Sequence, residues 1–310
     1  MLRVYPDYYK EFKCIADKCR HSCCIGWEID IDENTLEFYS TVKGDMGARL
    51  KSGIEYDESG AHFLLTENER CPFLNEKGLC DIITELGEEH ISDICTMHPR
   101  FVNDLPDRQE IGIGLCCEEA ARIIIGKKSK TMLILEGEND DFDEIINLRD
   151  RAVAAVQERS LTMEKRLKNM LSLFGQDVPE FRRQEIADLL LSLERLDESW
   201  TKLLELYKNT DASLSDFSSF MKGREHEYEQ LLVYLIYRHM ANAPDVFEAG
   251  LRAKLTWFVY ELIKGLGAAI FADKGSFDFW DQTELVRLFS SEIEYSDENL
   301  DIIYDYLTQI

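Results

Sequence analysis

From about Asp141 onward, hydrophobic positions recur every three or four residues, the spacing that places them on one face of a helix. Ile145, Leu148, Ala152, Val153 and Val156 form one such face, and Met163, Leu167, Met170, Leu171 and Phe174 form the next. Ile186, Leu189, Leu190, Leu193 and Leu196 continue the pattern, with Pro179 suited to a first helical turn. Trp200, Leu203, Leu204 and Tyr207 extend that helix or open another. Tyr228 to Met240 is apolar nearly all round, which predicts a central buried helix. Pro244 starts a further one, and Leu251 to Phe271 makes a long helix in which Gly265 and Gly267 either permit close packing or mark its end. Asp278 to Asp305 reads as two short amphipathic helices carrying nine acidic residues and one arginine.

The first half reads differently. Short apolar stretches are separated by turn-forming glycines such as Gly53, Gly60, Gly78 and Gly87, and all nine cysteines lie between Cys14 and Cys117. Loops and short helices bury little apolar surface, so metal ligation is expected to supply missing folding energy. The predicted architecture is mainly α: an irregular cysteine-rich metal-binding part, residues 1–135, packed on an all-α helical bundle, residues 136–310. No fixed-period repeat and no Pro-rich or Ser-rich linker separates the two.

The 310 residues carry a formal net charge of -25, with a dense acidic stretch at Glu136, Glu138, Asp140, Asp141, Asp143 and Glu144. That charge excludes nucleic acid as a partner, because a phosphate backbone is held by Lys and Arg stripes that this chain lacks. A solvated surface is the plain reading of the acidic groups; steering of a lysine-bearing partner is the sharper one. The start, MLRVYPDYYKEFKC, has no basic flank followed by an apolar core, so it does not read as a secretory signal. The longest aliphatic-aromatic run, Leu231 to Tyr237, falls short of a membrane span. A cytoplasmic protein with no membrane partner is expected, and the sequence does not reveal its oligomeric state.

In a reducing compartment nine cysteines point to metal or redox chemistry rather than disulfides. Cys14, Cys19, Cys23 and Cys24 form one group, and Cys71, Cys80, Cys95, Cys116 and Cys117 a looser second one. Thiolates are the soft ligands of zinc and of iron-sulfur clusters, and four of them converge only when several segments meet. Adjacent Cys23 and Cys24 point in different directions unless a turn joins them, so the count permits two centres. Spacing does not separate zinc from iron-sulfur: there is no CxxC knuckle and no CxxxCxxC radical signature. His21, His62, His90 and His98 are further candidates for a zinc site.

FKCIADKC, CCIGWEIDID, CPFLNEKGLCDI, ELGEEHISDICTMHPRF and CEEAAR follow one another over about 120 residues. In these ordered blocks the chain resembles the FliB-type flagellin lysine N-methylase family, with a segment similar to the YkgJ-type cysteine cluster. The helical remainder resembles it more weakly, chiefly at LLVYLIYRHM. The resemblance implies methyl transfer from S-adenosylmethionine to flagellin lysines, with a cysteine-held iron-sulfur cluster of the 4Fe-4S type; zinc is the alternative. Carried over by position, the ligands come from Cys14, Cys19, Cys23, Cys24, Cys71, Cys80, Cys95 and Cys117. This chain departs from the family at CCEEAAR, where a single cysteine and a proline are usual, so Cys116 is additional.

Displacement at a sulfonium methyl needs a neutral amine, hence a base or a desolvated pocket. Asp30 and Asp32 beside the cysteine pair are the first candidates, with Glu118 next. Trp27 is a candidate for stacking on adenine or facing the sulfonium, and Arg100 for pairing with the cofactor carboxylate. The Gly-rich strand-to-helix turn of many adenosyl sites is absent, so S-adenosylmethionine would bind by another architecture. A non-catalytic metal-binding or redox module is the competing reading.

Overall fold

The computed structural model describes residues 1–58, 60–138 and 143–310; Asp140 and Asp141 of the acidic stretch lie outside them. Two compact units form, Lys13–Phe101 and Met1–Phe12 together with Val102–Ile310. The cysteine-bearing unit is therefore narrower than residues 1–135, and Cys116 and Cys117 belong to the helical unit.

The helical unit is not all-α. Leu2–Pro6 lies between Arg108–Ile113, to which it is parallel, and Leu133–Glu136, to which it is antiparallel; Arg100–Asp104 completes a four-stranded sheet. This sheet corrects the expectation of loops and short helices there. Arg108–Ile113 is hard to recognise because Glu110 is fully buried within it. Its carboxylate takes two bonds, 2.7 and 2.8 Å, from the equally buried Arg149 of helix Glu144–Val156. Each charge is tolerable inside only because the other is there.

Helix Glu225–Met240 is buried nearly all round, as its composition predicts. The Tyr237 hydroxyl lies 2.9 Å from the Val4 carbonyl and 3.1 Å from that of Ile111, tying the helix to two neighbouring strands. Helix Val246–Lys274 runs for 29 residues and passes as a membrane span by length and composition. Yet 78% of its most apolar window is buried inside the fold, so it is the core helix of this unit. Gly265 and Gly267 serve close packing: a Cβ on them would meet Tyr207 at 2.6 Å and Phe217 at 2.7 Å. The helix ends instead at Gly275, whose φ of 72° supplies the left-handed cap.

The amphipathic helices Met163–Ser172, Arg183–Ser192 and Glu198–Asn209 form as expected, although Pro179 precedes the second rather than opening it, and Leu196 is exposed. Phe279–Phe289 and Asp297–Thr308 are the two acidic helices, joined through a π-helical turn at Ser290–Glu294. Leu214–Phe220 is a further short helix that the periodicity did not reveal.

In the unit Lys13–Phe101, short helices and loops surround a three-stranded antiparallel sheet in which Ala61–Phe63 lies between Asp30–Ile31 and Ile54–Tyr56. Ile29, Ile31, Leu50, Phe63, Phe73 and Ile82 make its core, and Cys71 is part of it; Cys24, Cys80 and Cys95 pack against the same core.

Candidate metal centre

Three chain segments supply the four cysteines that lie in or against that core. The first carries Cys24, whose carbonyl accepts the Cys71 N–H at 2.8 Å. The second is the loop from Cys71 to Cys80, folded back on itself by the Leu74–Cys80 bridge. Asn75 builds the turn: its side-chain oxygen accepts from Lys77 N–H at 2.9 Å and Leu79 N–H at 3.1 Å, and Gly78 takes a φ of 73°. Arg70 locks the loop from outside by donating to the Leu74 and Asn75 carbonyls. The third segment is helix Asp93–Met97, which carries Cys95.

Every pair within Cys24, Cys71, Cys80 and Cys95 interacts electrostatically. The charges of Cys24, Cys80 and Cys95 act on Cys71, those of Cys24 and Cys80 on Cys95, and that of Cys24 on Cys80. Burial first, then this mutual repulsion, pushes the Cys71 thiol up to about 12 and Cys95 to about 11, and raises Cys80. Cys24 goes the other way, to about 7, chiefly through a hydrogen bond from Cys23, with burial opposing and Ser22 and the Arg70 charge assisting. A cation held by all four would take them as thiolates and so release protons.

The residues fit a thiolate-held metal group by their donor set. Tyr39 fits too: it lies close enough for Cys95, Cys80 and Cys71 to raise its pKa, after burial, and its hydroxyl is buried without a hydrogen-bond partner among the described residues. Sequence reasoning missed Tyr39, which reads as one more apolar helix position. Arg70, immediately before Cys71, carried a legible signal as a cation beside a thiolate.

Of the other candidates, Cys23 hydrogen-bonds to Cys24 and Trp27 packs against the same core. Cys14 Sγ accepts from Ala16 N–H at 3.4 Å and Cys19 Sγ donates to the His21 carbonyl at 3.1 Å, both within local turns. Cys117 stands at the start of helix Glu118–Gly126 in the helical unit, where Glu118 is buried. Cys116 is pushed up to about 12 by burial, against a hydrogen bond with Tyr295. Trp27 donates to the Cys23 carbonyl at 2.5 Å, and its ring centroid lies 6.1 Å from that of His98. Burial and then Arg100 hold His98 at about 4, so it is neutral near pH 7. Arg100 donates to the Thr96 carbonyl at 3.1 Å. His90 stacks on Phe38 at 3.8 Å.

Asp30 is exposed at a strand edge, paired with His62. Asp32 is occupied: its two oxygens accept Thr35 N–H and Asp93 N–H, each at 2.9 Å, capping one helix and the start of another. Burial raises its pKa, but these bonds outweigh burial and leave it lowered. A separate cavity of about 750 Å3 lies in the helical unit, lined in part by Arg122, Lys127 and Arg224. Those cations already pair with Glu119, Asp7 and Glu227.

Residues 109–310 match the FliB lysine N-methylase C-terminal domain, most of the helical unit. The chain belongs to the FliB lysine N-methylase family. Over 126 residues, 39% of this chain, it is 26% identical to the lysine-N-methylase of Salmonella typhimurium, and the stretch covers 31% of that relative. Over 150 residues, 46% of this chain, it is 25% identical to the flagellar biosynthetic protein FliU of Salmonella muenchen, covering 87% of it. The match therefore spans about a third of the length of the lysine-N-methylase. No solved structure matches the chain. The family match falls on the helical region, where the resemblance read from the sequence was the weaker one.

Proposed function

We propose that this FliB-family chain is a protein-lysine N-methylase that uses S-adenosylmethionine, acts on flagellin-like surface proteins in the cytoplasm, and holds an iron-sulfur cluster through Cys24, Cys71, Cys80 and Cys95. The observation that supports the metal part is that these four cysteines, supplied by three segments, pack in or against one core and act electrostatically on one another. Family membership and the names of the Salmonella relatives support the lysine methylase part. A cluster held by these four thiolates would offset their mutual repulsion and fix the three segments to one another.

The chain's own groups have three tasks in this reading. The substrate ammonium must lose a proton before it can attack a sulfonium methyl. Asp30 suits that task better than Asp32, whose oxygens are already used as helix caps, or Glu118, which is buried in the helical unit. Trp27 offers an aromatic face and Arg100 a cation for the two ends of an adenosyl amino acid. The acidic surface favours approach of a lysine-rich partner, within the reach that salt screening allows.

Incubating anaerobically purified protein with methyl-labelled S-adenosylmethionine and flagellin tests the reading. Label on flagellin lysine is expected; no label from protein carrying iron and sulfide would overturn the methylase assignment. Iron and sulfide analysis of the same preparation tests the cluster separately: zinc without iron would leave a structural metal centre in its place.

A further inference from the structure

We infer that the cavity of about 750 Å3 in the helical unit binds a nucleoside monophosphate or a phosphate monoester like it. The loop 127–129 holds the phosphate, and Phe279 and Tyr8 flank the ring body.

Buried polar groups build that loop. Gln230, 1% exposed on helix Glu225–Met240, donates to the Lys127 carbonyl at 3.1 Å and to the Ser129 carbonyl at 2.7 Å. Arg159 donates to the Lys128 carbonyl at 2.8 Å and is itself held by the buried Glu229. Gln157, also buried, exchanges two bonds with the backbone of Thr131 just beyond. A buried amide is costly unless bonded, and both of these glutamines are bonded to one short stretch of chain.

That arrangement leaves donors unused. Three successive carbonyls are taken, yet the N–H groups of Lys128 and Ser129 make no hydrogen bond among the described residues, and neither do the Lys128 ammonium and the His226 ring. Arg122 spends Nε and Nη2 on Glu119 and keeps Nη1. All four residues line the cavity. Burial lowers the His226 pKa, with Lys128 and Arg159 assisting against Glu227 and Glu229, so Lys128 and His226 are close enough to repel when both are charged. An oxyanion between them relieves this and accepts from the free N–H groups. The sign of the wall agrees: in a chain of 35 basic and 60 acidic residues, the lining has four Lys and Arg against Glu11 and Glu227, and Glu227 is taken by Arg224. The three oxygens of a phosphate monoester use a donor set of this size, and a carboxylate leaves part of it idle.

A phosphate by itself fills little of a cavity this large. Beside the loop, a Cβ on Gly126 would meet Phe279 Cζ at 3.2 Å, so the glycine admits the ring next to Lys127. Tyr8 adds a second, buried ring. Aromatic walls suit a flat heterocycle.

AMP is the probe. Isothermal titration of the purified full chain at physiological salt should show one AMP site per chain. Inorganic phosphate and adenosine, each carrying one part of that ligand, should bind at least about tenfold more weakly. Lys128→Ala should weaken AMP by at least about tenfold, whereas Lys165→Ala, at an exposed position outside the cavity, should not. No saturable AMP site, adenosine or phosphate binding as tightly as AMP, or equal affinity in Lys128→Ala and the parent overturns the inference. None of these results bears on lysine methylation.

Discussion

The Cys71 N–H donates to the Cys24 carbonyl at 2.8 Å, so two cysteines 47 positions apart in the chain are tied together by backbone. The loop to Cys80 is likewise held by Asn75 and Arg70 rather than by a ligand. Serine at position 24, 71, 80 or 95 is expected to remove most of the bound metal, whereas serine at 14 or 116 should leave it in place. Metal and sulfide per folded chain, measured anaerobically, checks this.

The thiol shifts give a pH signature for the metal-free protein. An unfolded thiol ionises near 8.5, while folded Cys71 and Cys95 hold their protons to about 12 and 11. Below about 8.5 both states are protonated at these two positions and their contribution to stability is complete. As pH rises further the unfolded chain ionises first, so stability falls until pH passes the folded values. Cys24, at about 7, has the opposite sign and adds stability between about 7 and 8.5. Chelated, reduced protein should therefore lose melting temperature above about pH 8.5. The loaded protein should lose metal on acidification instead, because protons compete for the thiolates. Melting curves of both forms across pH 6 to about 11 distinguish the two slopes.

Helices with one apolar face were legible because burial and spacing agree there: Met163–Ser172 and Glu198–Asn209 lie where periodicity puts them. Arg108–Ile113 was illegible because its inward position 110 is a charge whose partner, Arg149, is 39 residues away. Pairing of that kind cannot be read from spacing. The cysteines were legible as residue types, but not which of them lie together. Nothing in the order of nine cysteines tells that Cys24 interacts with Cys71, Cys80 and Cys95.

Removing one member of the Glu110–Arg149 pair should cost far more than its exposed counterparts. Glu110→Ala leaves a guanidinium buried with only Asp150 as a carboxylate partner. A loss of about 3–5 kcal/mol is expected. Replacing the exposed Glu164, which pairs with Lys168, should leave stability almost unchanged. Urea unfolding of the two variants provides the comparison.

Asp30 and Asp32 are two residues apart, yet the structure gives them different work. Asp32 binds the N–H groups of Thr35 and Asp93, and its lowered pKa means that its stabilising effect is present above the usual carboxylate range and is lost as pH falls through the folded value. Asp32→Ala should therefore lower stability by about 1–2 kcal/mol at neutral pH and by less in acid. Asp30 makes no such cap and is exposed. If it receives the lysine proton, Asp30→Asn should lower kcat by about 100-fold or more with melting temperature unchanged. That loss should shrink as pH approaches the lysine pKa and the free amine becomes available from solution. A pH profile of methylation for both variants, set beside their melting curves, separates the roles; a loss for Asp30→Asn that is the same at every pH would remove Asp30 from proton transfer.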